Sequence, residues 1–206
     1  MLPKVKPGEG GEAVALRQAQ PGRAIGLDFG TTNSALAVAE ADGTVQLATL
    51  RHDAESSATF RSVLYFTHPE EEASAEVQVV AGPQAIQRYL EAEPKGRFLQ
   101  SIKSFLASRQ FERTRVFNRS YSLEDLIAII LRALRRLAEA QFGALGAPVV
   151  VGRPVHFAGA RNAADEAFAL QRLEAACRDS GFAPVTFEFE PVAAAYAYGL
   201  QLTREE

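Results

Sequence analysis

Asp28-Phe29-Gly30-Thr31-Thr32-Asn33-Ser34 sets an acidic side chain, a glycine and two hydroxyls where an apolar strand ends and a hairpin begins. Such a turn can aim successive backbone N–H groups and two hydroxyls into one concavity, which holds phosphate without a large positive charge. Asp28 would then face the phosphates. A carboxylate beside phosphate is repulsive unless a cation intervenes. The arrangement therefore suits Mg²⁺, an ion that takes one or two carboxylates, phosphate oxygens and retained waters. The plainer reading is a polar hairpin turn in which Asp28 caps backbone amides.

The second constellation is Phe187-Glu188-Phe189-Glu190-Pro191-Val192-Ala193-Ala194-Ala195-Tyr196-Ala197-Tyr198-Gly199-Leu200. A strand delivers Glu190 to its carboxyl end, Pro191 suits a first helical turn, and the alanines allow a helix to lie close to a sheet. On the residues alone, the plainer reading of Glu190 is a charge at a helix N-terminus. Lys103, in Gln100-Ser101-Ile102-Lys103-Ser104-Phe105-Leu106, reads as a lysine on the polar side of an amphipathic helix. His52, His68 and His156 lack cysteine or carboxylate partners at metal spacing and read as loop or strand-end residues. Cys177 reads as a small core residue, and Arg132, Arg135 and Arg136 as a solvated helix face.

The elements that must position these residues follow from pattern. Ala24 to Phe29 is a short apolar run closed by Gly30, Ser34 to Ala39 a second, and Thr44 to Leu50 a third after the Asp42-Gly43 turn signal. Two hairpins in succession make these strands antiparallel, unlike the opening of a dinucleotide-binding fold. Residues 51–147 read as an insertion. Strands are expected at Ser62–Thr67 and Val77–Ala81 around a polar loop at Pro69–Glu76, and a helix at Gln84–Glu91. Phe98, Leu99, Ile102, Phe105 and Leu106 fall on one helical face. The clearest helix starts at Ser122, with Asp125 three residues on, and carries Leu126, Ile127, Ile130, Leu134 and Leu137 toward Gly143. A strand at Pro148–Gly152, a helix from Asn162 to Ser180 ended by Gly181, a strand at Pro184–Phe189 and a helix at Val192–Leu200 complete the order. The expected architecture is α/β: a mixed five-stranded sheet, three antiparallel strands followed by β-α-β-α, with an inserted α+β subdomain.

Composition bounds the partners. Of 206 residues 47% are hydrophobic, enough for a sizeable core, and 22 basic against 25 acidic residues leave a net charge of −3. No polycationic footprint for nucleic acid or an anionic membrane exists. The single cysteine excludes an intrachain disulfide and suits a reducing, cytoplasmic setting. No run reaches the length a membrane helix needs, and residues 1–22, rich in glycine and proline, read as a flexible leader without a signal peptide's apolar core.

Two segments together resemble a known family. IGLDFGTTNS is similar to the first phosphate loop of the actin-like ATPase superfamily, whose lobes are ribonuclease H-like, and FEPVAAAYAYGL resembles the glutamate-proline-alanine segment of its heat shock protein 70 branch. Their order, their separation and the place of the insertion match over residues 23–200. The resemblance implies ATP or ADP with Mg, bound by Gly30, Thr31, Thr32 and Asn33, with Asp28 ordering the hydrated ion. It implies Lys103 as the catalytic lysine and Glu190 across the cleft, linking nucleotide state to lobe movement. It divides the chain into a core subdomain at 23–50 and 148–206 and an inserted subdomain at 51–147. Pro154 resembles the proline that relays nucleotide state, but the arginine placed eight residues beyond it in the family is Asn162 here, with Arg161 one residue earlier.

The resemblance implies an ATP-hydrolysing, chaperone-like parent whose second lobe completes the cleft, with client proteins and co-chaperones as further partners. After Gly199 only Leu200 to Glu206 remain, so the expectation is a half-site that binds nucleotide weakly and is inactive alone. Two alternatives stand beside it: a fragment of a sugar-kinase-type phosphotransferase, against which Glu190-Pro191 argues, and a stand-alone, non-catalytic interaction module.

Overall fold

The computed structural model describes residues 22–52, 55–67, 76–91, 96–146 and 148–205. The leader up to residue 21, most of the polar loop expected at 69–76, and His68 lie outside the described residues.

The first strand, β1 (Ala24–Phe29), buries Ile25, Leu27 and Phe29 and leaves Gly26 and Asp28 on the opposite face. The short apolar run is buried on one face, because a glycine and an aspartate occupy the alternate positions. β2 (Asn33–Ala39) pairs antiparallel with it, Asp28 opposite Ala35, and β3 (Val45–Leu47) pairs antiparallel with β2. The expected third strand, Thr44–Leu50, is split. Leu50 opens β4 (Leu50–His52), which forms a separate hairpin with β5 (Glu55–Ser57).

A short strand, β6 (Phe60–Arg61), precedes the one expected at Ser62–Thr67, which is found as the shorter β7 (Leu64–Thr67). β6 pairs with the start of β2, and β7 is the centre of a small sheet between β8 (Gln78–Ala81) and β9 (Arg97–Leu99). Helix α1 (Pro83–Glu91) follows β8.

The single helical face expected for Phe98 to Leu106 is corrected by this sheet. Phe98 and Leu99 lie in β9, Ser101 turns the chain in the left-handed region at φ 58, and only Ile102–Phe105 forms one turn of 3-10 helix. Apolar spacing of three and four also arises when a strand runs into a tight turn. The hairpin of β10 (Arg113–Val116) and β11 (Arg119–Ser122) follows.

Helix α2 (Leu123–Phe142) begins with a reciprocal cap: the Asp125 N–H donates to Ser122 Oγ at 3.0 Å, and the Ser122 N–H to Asp125 Oδ2 at 2.8 Å. Its buried stripe, Leu126, Ile127, Ile130, Leu131, Leu134 and Ala138, lies in the same core cluster as the buried residues of β1 and β2. β12 (Val149–Arg153) joins β1 in parallel, and α3 (Ala163–Asp179), capped by the Asn162 side chain, packs beside α2. β13 (Val185–Phe189) pairs in parallel with β12, and α4 (Glu190–Glu205) starts where β13 ends.

The main sheet therefore runs β13-β12-β1-β2-β3, with β6 added beside β2. Two arginines of the expected solvated stripe join α2 to α3 instead. Arg135 donates to the Ser180 carbonyl at 3.3 Å and lies over the Phe182 ring, and Arg132 reaches the Asp179 carbonyl at 3.4 Å. Arg136 is exposed. Among the described residues no helix is long and apolar enough to cross a membrane.

Candidate functional site

β1, β12 and β13 are parallel, so their carboxyl ends lie along one edge of the sheet. Ligands of open α/β sheets gather at such edges, because the chain leaves each strand there in a loop free to carry polar groups. Here the edge delivers Asp28 near the end of β1, Gly30 after β1, Pro154 after β12 and Glu190 after β13. Asp28, Gly30, Thr31, Lys103, Ser104, Pro154, His156 and Glu190 line one cavity of ≈ 320 Å³.

Lys103 is not the solvated lysine that its sequence suggests. It sits on the 3-10 turn whose neighbours Ile102 and Leu106 are buried, and its own side chain is only 9% exposed. Its ammonium donates to Glu190 Oε1 at 2.9 Å. Glu190, in the first turn of α4, keeps 37% of its side chain open. Asp28 shares the cavity, and its carboxyl is held above the usual carboxylate range. Burial against the sheet is the main cause, Glu190's charge adds to it, and Lys103 opposes both. One lysine between two carboxylates leaves the cavity short of positive charge, a state that an incoming cation relieves.

Gly30 is required by close approach rather than by a special φ. A Cβ built there would lie 2.1 Å from the Asn33 carbonyl oxygen. Thr31 lines the cavity, whereas Thr32 and Asn33 continue the turn without lining it. The Thr32 carbonyl accepts the Ser62 N–H at 2.9 Å, and Asn33 Oδ1 accepts from Arg61 Nη1 at 2.8 Å. The turn is thereby tied to β6. A second hollow of ≈ 350 Å³ runs along the open sheet face, lined by Ala35, Ala37, Leu47 and Val150. It shares Asp28 and Glu190 but lacks Lys103 and the Gly30-Thr31 turn, so the cavity at the sheet edge is the one with the chemistry to meet phosphate.

Four lining residues escaped sequence reasoning: Ser104, His156, Phe157 and Ala158. The segment after β12 turns back over the cavity because Glu166 of α3 holds it, accepting the Phe157 N–H at 3.3 Å and pairing with Arg153 at 3.5 Å. His156 Nδ1 lies 3.3 Å from the same carboxylate. The signal available in sequence was position, two residues beyond Pro154. Asn162 stands where the family arginine was expected because it caps α3, accepting the Asp165 N–H at 3.0 Å. Cys177 is buried, and burial beside Glu174 pushes its thiol up to about 12, which removes it as a nucleophile. Among the described residues no group of three or more His, Cys, Asp or Glu could hold a metal by itself.

Fold and cavity together define an α/β protein with helices on a mixed sheet and a charged cleft at the carboxyl ends of its parallel strands. The chain belongs to the Hsp70 protein family, whose family model matches residues 24–206. It is 33% identical over 183 residues to the protein named chaperone protein DnaK in Thermotoga neapolitana, and to those of the same name in Thermotoga petrophila and Thermotoga maritima. In each comparison 88% of this chain is covered but 27% of the relative, so the chain spans about a quarter of the length of these relatives.

Proposed function

We propose that this chain forms one wall of a Mg-ATP site, the first lobe of an actin-like ATPase domain, in a protein that hydrolyses ATP as a chaperone. The observation that carries the reading is convergence. Asp28, Gly30-Thr31, Lys103 and Glu190, from segments up to 162 positions apart (190 − 28), line one cavity. Family membership and the names of the relatives support it.

In this reading the Gly30-Thr31-Thr32 turn offers backbone N–H and hydroxyl donors to the phosphates, and Asn33 steadies the turn through Arg61. Asp28 orders the waters of the magnesium ion. The donor set fits that role, since one or two carboxylates, with no group of three or more candidate ligands among the described residues, suit an ion held mostly by phosphate oxygens and water. The bound ion supplies charge neutralisation at the phosphates. Lys103 holds the attacking water and the terminal phosphate, and Glu190, at the head of α4, registers whether Lys103 is engaged with it or with phosphate. Residues 23–50 and 148–206 form the core of the lobe and 51–147 its insertion. The opposite wall, client proteins and co-chaperones belong to the rest of the reading.

Calorimetric titration of Mg-ATP into the protein and into Thr31→Ala tests it. Saturable, magnesium-dependent heat that the substitution weakens is expected; equal heats from both proteins would remove the phosphate role of the turn.

A further inference from the structure

Arg172, on α3, is the most deeply buried charged side chain among the described residues, at 6% exposure. Its guanidinium makes a two-pronged pair with Glu124 of α2, through Nε to Oε1 at 2.5 Å and through Nη2 to Oε2 at 3.4 Å. The remaining donors go to three backbone carbonyls of a single segment. Nη1 reaches Phe105 at 3.5 Å and Ser108 at 3.2 Å, and Nη2 reaches Phe111 at 3.1 Å. Two of those carbonyls also close tight turns, with the Ser108 N–H on Phe105 and the Phe111 N–H on Ser108. The turn before them, Leu106 N–H on the Lys103 carbonyl, carries the cavity lysine.

This segment contains no regular structure beyond one 3-10 turn, so few backbone bonds fix it from outside. α3 supplies what is missing. Besides Arg172, the Arg109 side chain of the segment donates to Asp165 Oδ1 and to the Ala164 carbonyl, both at 3.2 Å. The Phe168 ring lies under both guanidinium groups, 4.6 Å from Arg109 and 5.3 Å from Arg172.

We infer that Arg172 is the positioning residue for Lys103: by riveting residues 105–111 to α2 and α3 it holds the 3-10 turn so that the lysine points into the cavity toward Glu190. A planar fork with five donors can serve a carboxylate and three carbonyls at once, which an ammonium cannot. The importance of that position for catalysis rests on the Mg-ATP reading; the positional claim does not.

The test is the rate at which Lys103 is acylated by a small amine-reactive ester without nucleotide, read by peptide mass, in the protein, Arg172→Ala, Arg172→Lys and Arg135→Ala. Arg135 is the control because it also ties α2 to the end of α3 but touches nothing in 102–111. Loosening the segment opens Lys103 to reagent, so a rise of about tenfold is expected in Arg172→Ala and a smaller one in Arg172→Lys, with Arg135→Ala unchanged. Ethylguanidinium, filling the space left in Arg172→Ala, should bring the rate back down. An unchanged rate in both Arg172 variants overturns the inference, and so does an equal rise in Arg135→Ala. Protection of Lys103 by Mg-ATP in the unsubstituted protein reads the nucleotide proposal separately. Its absence would remove that proposal and leave the Arg172 comparison standing.

Discussion

The Lys103 ammonium and the Glu190 carboxylate meet at 2.9 Å, 87 positions apart in the chain, one on a 3-10 turn of the insertion and the other at the head of α4. The pair lines the cavity that Asp28 shares, and both of its charges act on Asp28. A phosphate group entering there would compete with Glu190 for the lysine. In the proposed Mg-ATP reading, that competition is what would link nucleotide to α4.

The coupling among the three groups has a definite sign. Glu190's charge raises the Asp28 pKa and that of Lys103 lowers it. Glu190→Gln should therefore lower the Asp28 pKa, and Lys103→Met should raise it further. Carbon-detected NMR titration of the Asp28 carboxyl measures both, and shifts in the same direction for the two variants would contradict the arrangement.

The raised Asp28 pKa predicts that its charged form costs the folded state stability. Its pKa is raised by folding, so the stability difference between Asp28 and a neutral amide is absent below the ordinary carboxylate range, and it opens as pH rises through the elevated folded value. Asp28→Asn is expected to melt at a higher temperature than the unsubstituted protein at neutral pH, with the gap closing in acid. Melting curves across pH check this, and a variant less stable at neutral pH would count against it.

Gly30 and Gly199 should respond oppositely to alanine. At Gly30 the new Cβ meets the Asn33 carbonyl oxygen at 2.1 Å, a backbone atom that cannot step aside, and a loss of about 1–3 kcal/mol is expected. At Gly199, within α4, nothing lies within 4 Å of the new atom, and alanine's helix preference should add up to about 1 kcal/mol. Urea unfolding of the two variants measures the contrast.

Ser122→Ala removes one half of the reciprocal cap on α2 and leaves the Asp125 N–H without that partner. A loss of about 1 kcal/mol is expected. Amide exchange should quicken in the first turn of α2 and not at its far end.

Helix ends and strand runs were legible because local chemistry fixes them. Ser122 and Asp125 announce the start of α2, Asn162 and Gly181 bracket α3, and Ala24 to Phe29 closed by Gly30 marks β1. The places of Asp28 near the end of a strand and of Glu190 at the head of a helix were legible for the same reason. What was hidden depends on partners distant in sequence. The stretch from Phe98 to Leu106 has helical spacing, yet β7 claims its first half as a strand. The β10–β11 hairpin buries little beyond Val116, so no apolar alternation betrays it. Lys103 looks solvated until Glu190 is brought to it, and Arg172 looks like any helical arginine until Glu124 and three carbonyls surround it.

The central claim is that the turn after β1 and the Lys103–Glu190 pair meet the phosphates of Mg-ATP. The direct measurement is a residue-resolved NMR titration with Mg-ATP to millimolar concentration, following the amides of Gly30, Thr31 and Thr32 and the side chains of Lys103 and Glu190. Saturable shifts confined to these groups, absent without magnesium and abolished in Asp28→Ala, are predicted; undisturbed signals there, or shifts centred elsewhere on the molecule, would contradict the account.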